Sequence, residues 1–378
     1  MEKELKHIRK TLFDKLLCLD APKSIFEFQI ELAEELKRCE RLQKSKKNES
    51  IKSHMHLLRC YGDSLAWQLL HPHAIRQLCK SQKNKSFLID QEKGFNKTVE
   101  IAKGISEYDF PLIIADLTHC IRIGDIIICS DPEIPGIYEC KSRRTNEKFE
   151  LQGRRGRQLS RMKGTYKYLE KGHAKVFGEE LTRVCIEIDS PTCYNWDIIN
   201  DVLIKADNKG HAVWKVSDYE IIGATYNDND NLFESLNVEE FKFKNVFFDT
   251  HYRAIREASP TVPPPINWKI EDKFKLQLME GELFLIHIFD PNVFIGLSDD
   301  NARIISFSSK IPTNCISSGI ADFAFEVDIK GHKIILSSNF AKQVLYGFET
   351  VESVAEQMLE FAAKSDEYME KYFNDNQK

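Results

Sequence analysis

The stretch of sequence that decides the fold is residues 121–129, IRIGDIIIC, in which Gly124 and Asp125 interrupt a run of isoleucines. Runs of β-branched residues favour a strand. The following segment, SDPEIPG at residues 130–136, contains two prolines and a glycine and predicts a turn. A second strand is predicted over residues 137–142, IYECKS. The sequence therefore predicts a β-hairpin with Asp125 on its first strand.

The second predicted strand carries Glu139, fourteen residues after Asp125, and Lys141. Because side chains alternate along a strand, Glu139 and Lys141 share one face and Cys140 points to the other. A hairpin can bring Asp125 beside that face. Two carboxylates and a lysine placed together can hold Mg²⁺, polarise a phosphate and generate a hydroxide nucleophile.

This spacing resembles the core motif of the restriction endonuclease-like superfamily, the PD-(D/E)xK nucleases, with Gly124-Asp125 in place of Pro-Asp. The resemblance implies an α/β fold with a restriction endonuclease-like core, in which helices flank a mixed central sheet. It implies that Asp125 and Glu139 bind Mg²⁺ or Mn²⁺, and that Lys141 orients or deprotonates the attacking water. The alternative left open by the residues is an ordinary hairpin with a surface Glu/Lys pair.

Positive charge is concentrated next to this motif. Between residues 141 and 171, eleven Lys or Arg residues oppose three acids, a local excess of eight in a chain of net charge −5. Such a concentration is typical of contact with a phosphate backbone, although a solvated charged face is the alternative. A helix is predicted from about residue 153 to 170. The arginines expected to contact nucleic acid are Arg143, Arg144, Arg154, Arg155, Arg157 and Arg161.

Two accessory residues follow from the resemblance. Many members of the superfamily place a glutamine on the helix after the lysine strand, and Gln158 fits that position. A helix before the metal strand often supplies a further acid, and Asp63, within the helix predicted over residues 57–70, is the candidate metal ligand. Gly-Asp-Ser at residues 62–64 is poor in helix propensity, which indicates a role other than helix stability. An exposed helical acid is the alternative for Asp63, and Asp116 ranks below it.

Composition limits the remaining choices. A chain of 378 residues with 42% hydrophobic and 11% aromatic content is long enough for two domains and is not mostly disordered. The ten cysteines form no C-x-x-C pair, which argues against a zinc ribbon and suits reduced thiols. No signal-peptide pattern, membrane-length apolar run or G-x-x-x-x-G-K-[ST] phosphate loop is found. We expect a cytoplasmic protein with no membrane partner and no ATPase activity of its own.

Three regions are predicted along the chain. Residues 1–50 form a helical N-terminal extension, and residues 51–225 form the nuclease-like domain. Residues 226–378 form an α+β accessory domain for targeting, sensing or assembly, through a homo-oligomer or a partner protein. In this last region, strands are predicted over residues 283–289, 302–307 and 333–336, and a closing helix from residue 351.

The function expected from the resemblance is a Mg²⁺-dependent endonuclease, with DNA favoured over RNA as its substrate. The resemblance further implies restriction, anti-phage defence or repair in a bacterial cytoplasm. Two alternatives stay open: an RNA-cleaving toxin with the same fold, and a non-catalytic module that binds nucleic acid or a partner protein.

Overall fold

The protein is described from a computed structural model. The described residues are 2–79, 86–140, 154–175, 182–226, 247–250, 262–299, 302–308, 324–337 and 339–375. The chain divides into two compact units, Met1–Cys185 with Ile255–Trp268, and Ile186–Ala254 with Lys269–Lys378. The predicted α/β class agrees with the helices and sheets of both units.

The first unit begins with five helices, α1 (Glu2–Leu17), α2 (Pro22–Ser45), α3 (Glu49–Leu69), α4 (Pro72–Leu78) and α5 (Glu92–Glu107). Helix α3 contains the helix predicted over residues 57–70, and it begins where the Asn48 side chain accepts hydrogen bonds from the N–H groups of Ser50 and Ile51. Each of these first three helices carries fully buried leucines: Leu5 and Leu16 on α1, Leu32 and Leu36 on α2, and Leu58 on α3.

Helix α2 is fastened to the first strand, β1 (Leu112–Ile114). The buried Gln29 side chain donates to the carbonyl oxygen of Leu112 (2.9 Å) and accepts from the N–H of Ile114 (2.7 Å). An amide that serves as both donor and acceptor satisfies the edge of a short strand. The segment that we predicted as an extension, residues 1–50, is therefore an integral part of the first unit.

The predicted hairpin supplies two of the three strands of an antiparallel meander. Strand β2 (Ile126–Ile128) pairs with β1, and it also pairs with β3 (Gly136–Tyr138) in the register Ile126↔Tyr138 and Ile128↔Gly136. Both strands are shorter than predicted, because residues 121–125 precede β2 and the β2–β3 ladder ends at Tyr138. The hairpin prediction is confirmed, with Asp125 immediately before β2 and Glu139 immediately after β3.

The basic helix is confirmed as α6 (Arg154–Lys171), and it is followed by a two-stranded antiparallel sheet of β4 (His173–Lys175) and β5 (Thr182–Val184). Met162, Thr165 and Tyr168 recur at helical spacing and are buried. Met162 belongs to the same apolar cluster as Ile113 and Ile127 of the meander. This packing places one side of the basic helix against the hairpin's own core.

The second unit begins with α7 (Trp196–Lys209), which ends before Gly210 in the left-handed conformation (φ 85°). Its antiparallel sheet has the order β6-β7-β9-β8, with β6 (His211–Ser217), β7 (Glu220–Tyr226), β8 (Phe247–Thr250) and β9 (Leu283–Phe289). A second sheet contains β10 (Ala302–Ser308), β11 (Ala324–Ile329) and β12 (His332–Ser337). Among the described residues after β8, the α-helices are α8 (Asp272–Glu280), α9 (Asn339–Gly347) and α10 (Val351–Asp375).

Two predictions about organisation are corrected. Strand β7 pairs with β9 along its whole length, from Glu220↔Phe289 to Tyr226↔Leu283, so residues 211–226 belong to the second unit and the boundary predicted near residue 225 is displaced. Every strand pairing among the described residues is antiparallel, so this part of the chain forms no mixed sheet. Over the same residues, none of the helices has both the length and the hydropathy required to span a bilayer.

Candidate functional site

A glycine sets the entry of the chain into β2. Gly124 has a φ of +79°, in the left-handed region, and a Cβ added there would lie 2.7 Å from Cγ2 of Ile137 and 3.1 Å from the carbonyl oxygen of Tyr138. A side chain at this position is therefore strained and sterically blocked. The close approach lets the N–H of Asp125 donate to the Tyr138 carbonyl oxygen at 2.7 Å.

The carboxylate of Asp125 lies against the end of β3. Its Oδ2 accepts a hydrogen bond from the backbone N–H of Cys140 at 2.7 Å, and that amide belongs to the peptide directly after Glu139. The ladder ends at Ile126↔Tyr138, and because the N–H of Asp125 donates to the carbonyl oxygen of Tyr138, the pairing does not continue in register to residue 139. The hydrogen bond from Cys140 nevertheless brings the Asp125 carboxylate beside the peptide that follows Glu139. Asp125 and Glu139 therefore lie at the same end of β3.

Helix α6 reaches the same pair. Nε2 of Gln158 donates to Oε2 of Glu139 at 2.6 Å, across a separation of nineteen residues. Gln158 lies one helical turn before the buried Met162, so it is on the inward side of α6. The structure therefore places Gln158 beside Glu139, as we predicted.

The electrostatics of Asp125 suit a bound cation. Burial raises the pKa of the Asp125 carboxyl and the negative charge of Asp116 adds to the rise, whereas the hydrogen bond from Cys140 lowers it. Asp116 lies in the short 3-10 turn after β1, where its Oδ2 accepts from Nε2 of Gln91 at 3.1 Å. Half-buried carboxylates that repel each other are stabilised by a divalent ion.

The donor set also identifies the kind of ion. Asp125, Glu139 and Asp116 offer carboxylate oxygens, the ligands preferred by hard cations such as Mg²⁺ and Mn²⁺. Oδ2 of Asp125 is held by the Cys140 amide, and its second oxygen has no hydrogen bond within the described part of the chain. These residues fit the divalent ion that the sequence resemblance implies.

The structure adds neighbours from α5 that the sequence did not single out. Burial raises the pKa of the Cys140 thiol, Asp125 and Glu139 raise it further, and Thr98 and Lys97 lower it. These influences place Lys97 and Thr98 near the Cys140 thiol at the end of β3, and Lys97 also pairs with Glu100 at 2.9 Å. No local signal marks these α5 positions, because only the tertiary packing of α5 brings them to the end of β3.

Five of the predicted site residues lie outside the part of the chain, or of the side chains, that the structure describes. Lys141, Arg143 and Arg144 lie outside the described residues, as do the side chains of Arg154 and Arg155. Of the remaining arginines on α6, Arg157 is exposed and Arg161 is half-buried. Arg161 follows Gln158 by three positions, so the two share one side of the helix.

Asp63 has a different role from the one we predicted. Its Oδ1 accepts hydrogen bonds from the backbone N–H groups of His119 (2.7 Å) and Cys120 (2.8 Å), and the residue is only 5% exposed. A carboxylate committed to two amides fixes a loop to α3. We therefore reassign Asp63 from metal ligand to loop anchor, and Asp116, which we ranked below it, is the acid that influences Asp125.

This reassignment predicts a separation of stability from activity. Asp63→Ala should destabilise the first unit by roughly 2–4 kcal/mol, because it leaves two amides without their acceptor. Asp63→Asn retains an oxygen acceptor and should lose less stability, with metal-dependent cleavage close to the parent rate. Thermal unfolding and cleavage assays on both variants measure this, and a folded Asp63→Asn protein devoid of cleavage would return Asp63 to the catalytic site.

Comparison with protein-family models, with curated proteins and with solved structures found no match for this chain.

Proposed function

We propose that this protein is a divalent-metal-dependent nuclease that hydrolyses phosphodiester bonds. The observation that carries the proposal is the 2.6 Å hydrogen bond from Gln158 to Glu139, because it joins the basic helix to the acidic end of the hairpin. A phosphate backbone bound along α6 would thereby reach the Asp125–Glu139 pair. The proposal retains Lys141 as the third core residue, two positions after Glu139.

Each residue has a stated task. Asp125 and Glu139 would hold the ion, with Asp116 adding negative charge nearby. When bound, Mg²⁺ supplies charge to polarise the phosphate and lowers the pKa of a water molecule. Gln158 fixes the orientation of the Glu139 carboxylate through its hydrogen bond. Lys141 would donate to the attacking water or to a non-bridging phosphate oxygen, which favours attack at phosphorus.

The charge of α6 supports a polyanionic substrate. The helix contains seven basic residues and one acid, within a chain of net charge −5. Attraction to phosphate is therefore concentrated on one element instead of being spread over the surface. Both DNA and RNA carry this backbone, and we propose DNA as the principal substrate.

The proposal is tested by incubating the purified protein with plasmid DNA and, separately, with total RNA, each in Mg²⁺ and in EDTA. We expect plasmid cleavage in Mg²⁺ and none in EDTA. The Asp125→Asn protein, purified in parallel, controls for contaminating nuclease. Cleavage of RNA alone would reassign the substrate. Intact DNA and RNA under every condition, or cleavage unaffected by EDTA, would contradict the proposal.

A second prediction concerns the dependence of binding on salt. Because Arg157 and Arg161 would each neutralise a phosphate, log Kd should rise linearly with log salt, with a slope of about 0.9 for each phosphate engaged on a duplex. Replacing both arginines by alanine should reduce that slope by up to about two units. The matched control is Lys163→Ala with Lys167→Ala. Helical geometry of about 100° per residue places these lysines away from the Gln158 side of α6.

Fluorescence anisotropy with a labelled duplex at several salt concentrations measures both slopes. The Arg157/Arg161 variant should have the flatter slope, and the lysine pair should resemble the parent. An equal change in the two variants would indicate diffuse attraction, and an unchanged slope for the arginine pair would place the nucleic-acid path elsewhere.

A further inference from the structure

A second group of metal-ligating side chains lies on α3, apart from the carboxylates of the proposed nuclease site. His56 and Cys60 are four residues apart on this helix, so they share one face. His119 approaches them from the loop that follows β1. One potential ligand atom from each of the three residues lies within 4.8 Å of the other two.

The backbone around His119 is held in place before any ion binds. A Cβ at Gly62 would overlap the carbonyl oxygen of Leu117, so glycine permits the loop to approach α3 closely. Oδ1 of Asp63 then accepts from the N–H of His119 at 2.7 Å. Two separate contacts thus fix His119 against the helix that carries His56 and Cys60. Metal sites need this kind of supporting shell.

A hydrogen bond also sets the tautomer of His119. Nε2 of its ring lies 3.2 Å from the carbonyl oxygen of His56. A carbonyl oxygen only accepts, so Nε2 carries the proton and Nδ1 carries the lone pair. Histidine ligands commonly donate their other ring N–H to a backbone carbonyl in this way. The rings of His56 and His119 are 4.5 Å apart, with an angle of 36° between their planes.

The other metal-ligating clusters found among the described residues are less suited to a cation. Glu35, Cys39 and His54 also lie close together, but Glu35 makes two hydrogen bonds of 2.7 Å with Arg38, and Arg9 lies 3.3 Å from His54. The Arg38 guanidinium already compensates the Glu35 carboxylate, and the Arg9 guanidinium beside His54 would repel an ion.

The cluster in the second unit is open to solvent, since His332 is 63% exposed and is paired with Asp366. Beside the cluster on α3, the buried Asp63 carboxylate accepts from the N–H of His119.

We propose that His56, Cys60 and His119 bind a Zn²⁺ ion. Thiolate and imidazole ligands bind Zn²⁺ in preference to Mg²⁺, and a water molecule would take the fourth position. Zinc bonds of roughly 2.0–2.3 Å imply ligand atoms about 3.3–3.8 Å apart, which is within the 4.8 Å limit that the three ligand atoms satisfy. Cys60 releases its proton to solvent as the sulfur–zinc bond forms.

The ion would fasten α3 to the loop that leads into β2. Residue 119 precedes Asp125 by six positions, so zinc would stabilise the approach to the proposed catalytic carboxylates without taking part in the reaction. The inference is independent of the proposed nuclease function, because zinc binding is measured without any substrate.

The test uses the full-length chain, first stripped with a chelator, then incubated with Zn²⁺ and desalted. Elemental analysis should find close to equimolar zinc, and the metal should raise the thermal unfolding temperature. Co²⁺ in place of Zn²⁺ should give a thiolate charge-transfer band in the near ultraviolet and tetrahedral visible bands. Circular dichroism confirms that each variant is folded.

Two variants remove ligands while preserving shape, Cys60→Ser and His119→Gln, the second of which retains an amide donor for the His56 carbonyl oxygen. Each should weaken zinc binding by at least about 100-fold, beyond the loss typical of a supporting residue. Cys39→Ser is the matched control and should bind zinc like the parent. The proposal would be overturned if the parent protein bound no zinc at a saturating zinc concentration. It would also be overturned if folded Cys60→Ser bound zinc as tightly as the parent, or if only Cys39→Ser lost zinc binding.

Discussion

Asp125→Asn should abolish Mg²⁺-dependent cleavage while leaving the protein at least as stable as the parent. The substitution retains an oxygen that can accept the hydrogen bond from the Cys140 N–H, so the junction between β2 and β3 should persist. It removes the charge that would bind the ion, and we expect a loss of the order of 10²–10⁴-fold, the range for a positioned catalytic group.

The expected effect on stability follows from the raised pKa of Asp125. A carboxyl group whose pKa is higher in the folded state than in the unfolded state is destabilising when it is ionised, and protonation relieves that cost as the pH falls. Burial is the main cause of the raised pKa of Asp125. A neutral asparagine removes the cost at neutral pH, so the thermal unfolding temperature should stay the same or rise.

Asp131→Asn is the matched control. Asp131 lies in the turn of the same hairpin, where its Oδ1 accepts from the N–H groups of Glu133 (2.9 Å) and Ile134 (3.2 Å). This exposed carboxylate also caps backbone amides but is no part of the acidic pair. It should cleave at the parent rate, whereas equal losses in both variants would attribute the effect to the hairpin's structure.

Glu139→Gln should lose cleavage to a similar extent without losing affinity for DNA. A glutamine at this position can still accept from Nε2 of Gln158, so the contact between the hairpin and α6 is retained. Removing a negative charge from a site that receives phosphate does not weaken binding electrostatically. We expect a turnover reduced by roughly 10²–10⁴-fold. The dissociation constant for a duplex should change by less than about threefold, which is under 1 kcal/mol.

Lys141→Ala should likewise reduce the turnover without weakening the binding of DNA, because the basic residues of α6 remain to bind phosphate. Single-turnover kinetics and anisotropy on the same preparations distinguish the two quantities. Glu133→Gln, at an exposed position of the turn, is the charge-matched control. Cleavage at the parent rate by Glu139→Gln or Lys141→Ala would make the motif a coincidence of spacing.

The local features of the site were predictable from sequence. The runs of β-branched residues and the turn residues between them located β2 and β3, and the hairpin brings Asp125 to the end of β3 where Glu139 lies. The concentration of basic residues located α6, and the resemblance identified Gln158 as the residue that faces the acids. These features are set by residues close together in the chain, where propensity and periodicity are informative.

The prediction for Asp63 failed for an instructive reason. Gly-Asp-Ser inside α3 did indicate a special role, but that role depends on a loop more than fifty residues away. Gly62 admits the Leu117 carbonyl, Asp63 binds the amides of residues 119 and 120, and Ser64 donates to the Cys60 carbonyl of its own helix. The local sequence indicates that the helix contains residues of low helix propensity, but it does not indicate which loop those residues contact.

The boundary between the units depends on still longer separations. Residues 220–226 and 283–289 form one ladder, although more than fifty residues lie between them. The boundary that we predicted near residue 225 falls inside this sheet. Pairing between distant strands is chosen by the packing of the whole sheet, so short-range patterns do not reveal it.

The most direct test of the central claim is a crystal structure after soaking in Mn²⁺, with the ion located by its anomalous scattering. We expect a peak bonded to carboxylate oxygens of both Asp125 and Glu139, at roughly 2.0–2.3 Å, with the Lys141 amine within reach of a metal-bound water. Gln158 should keep its hydrogen bond to Glu139. An ion held elsewhere, or carboxylates of Asp125 and Glu139 too far apart to share one under saturating Mn²⁺, would contradict it.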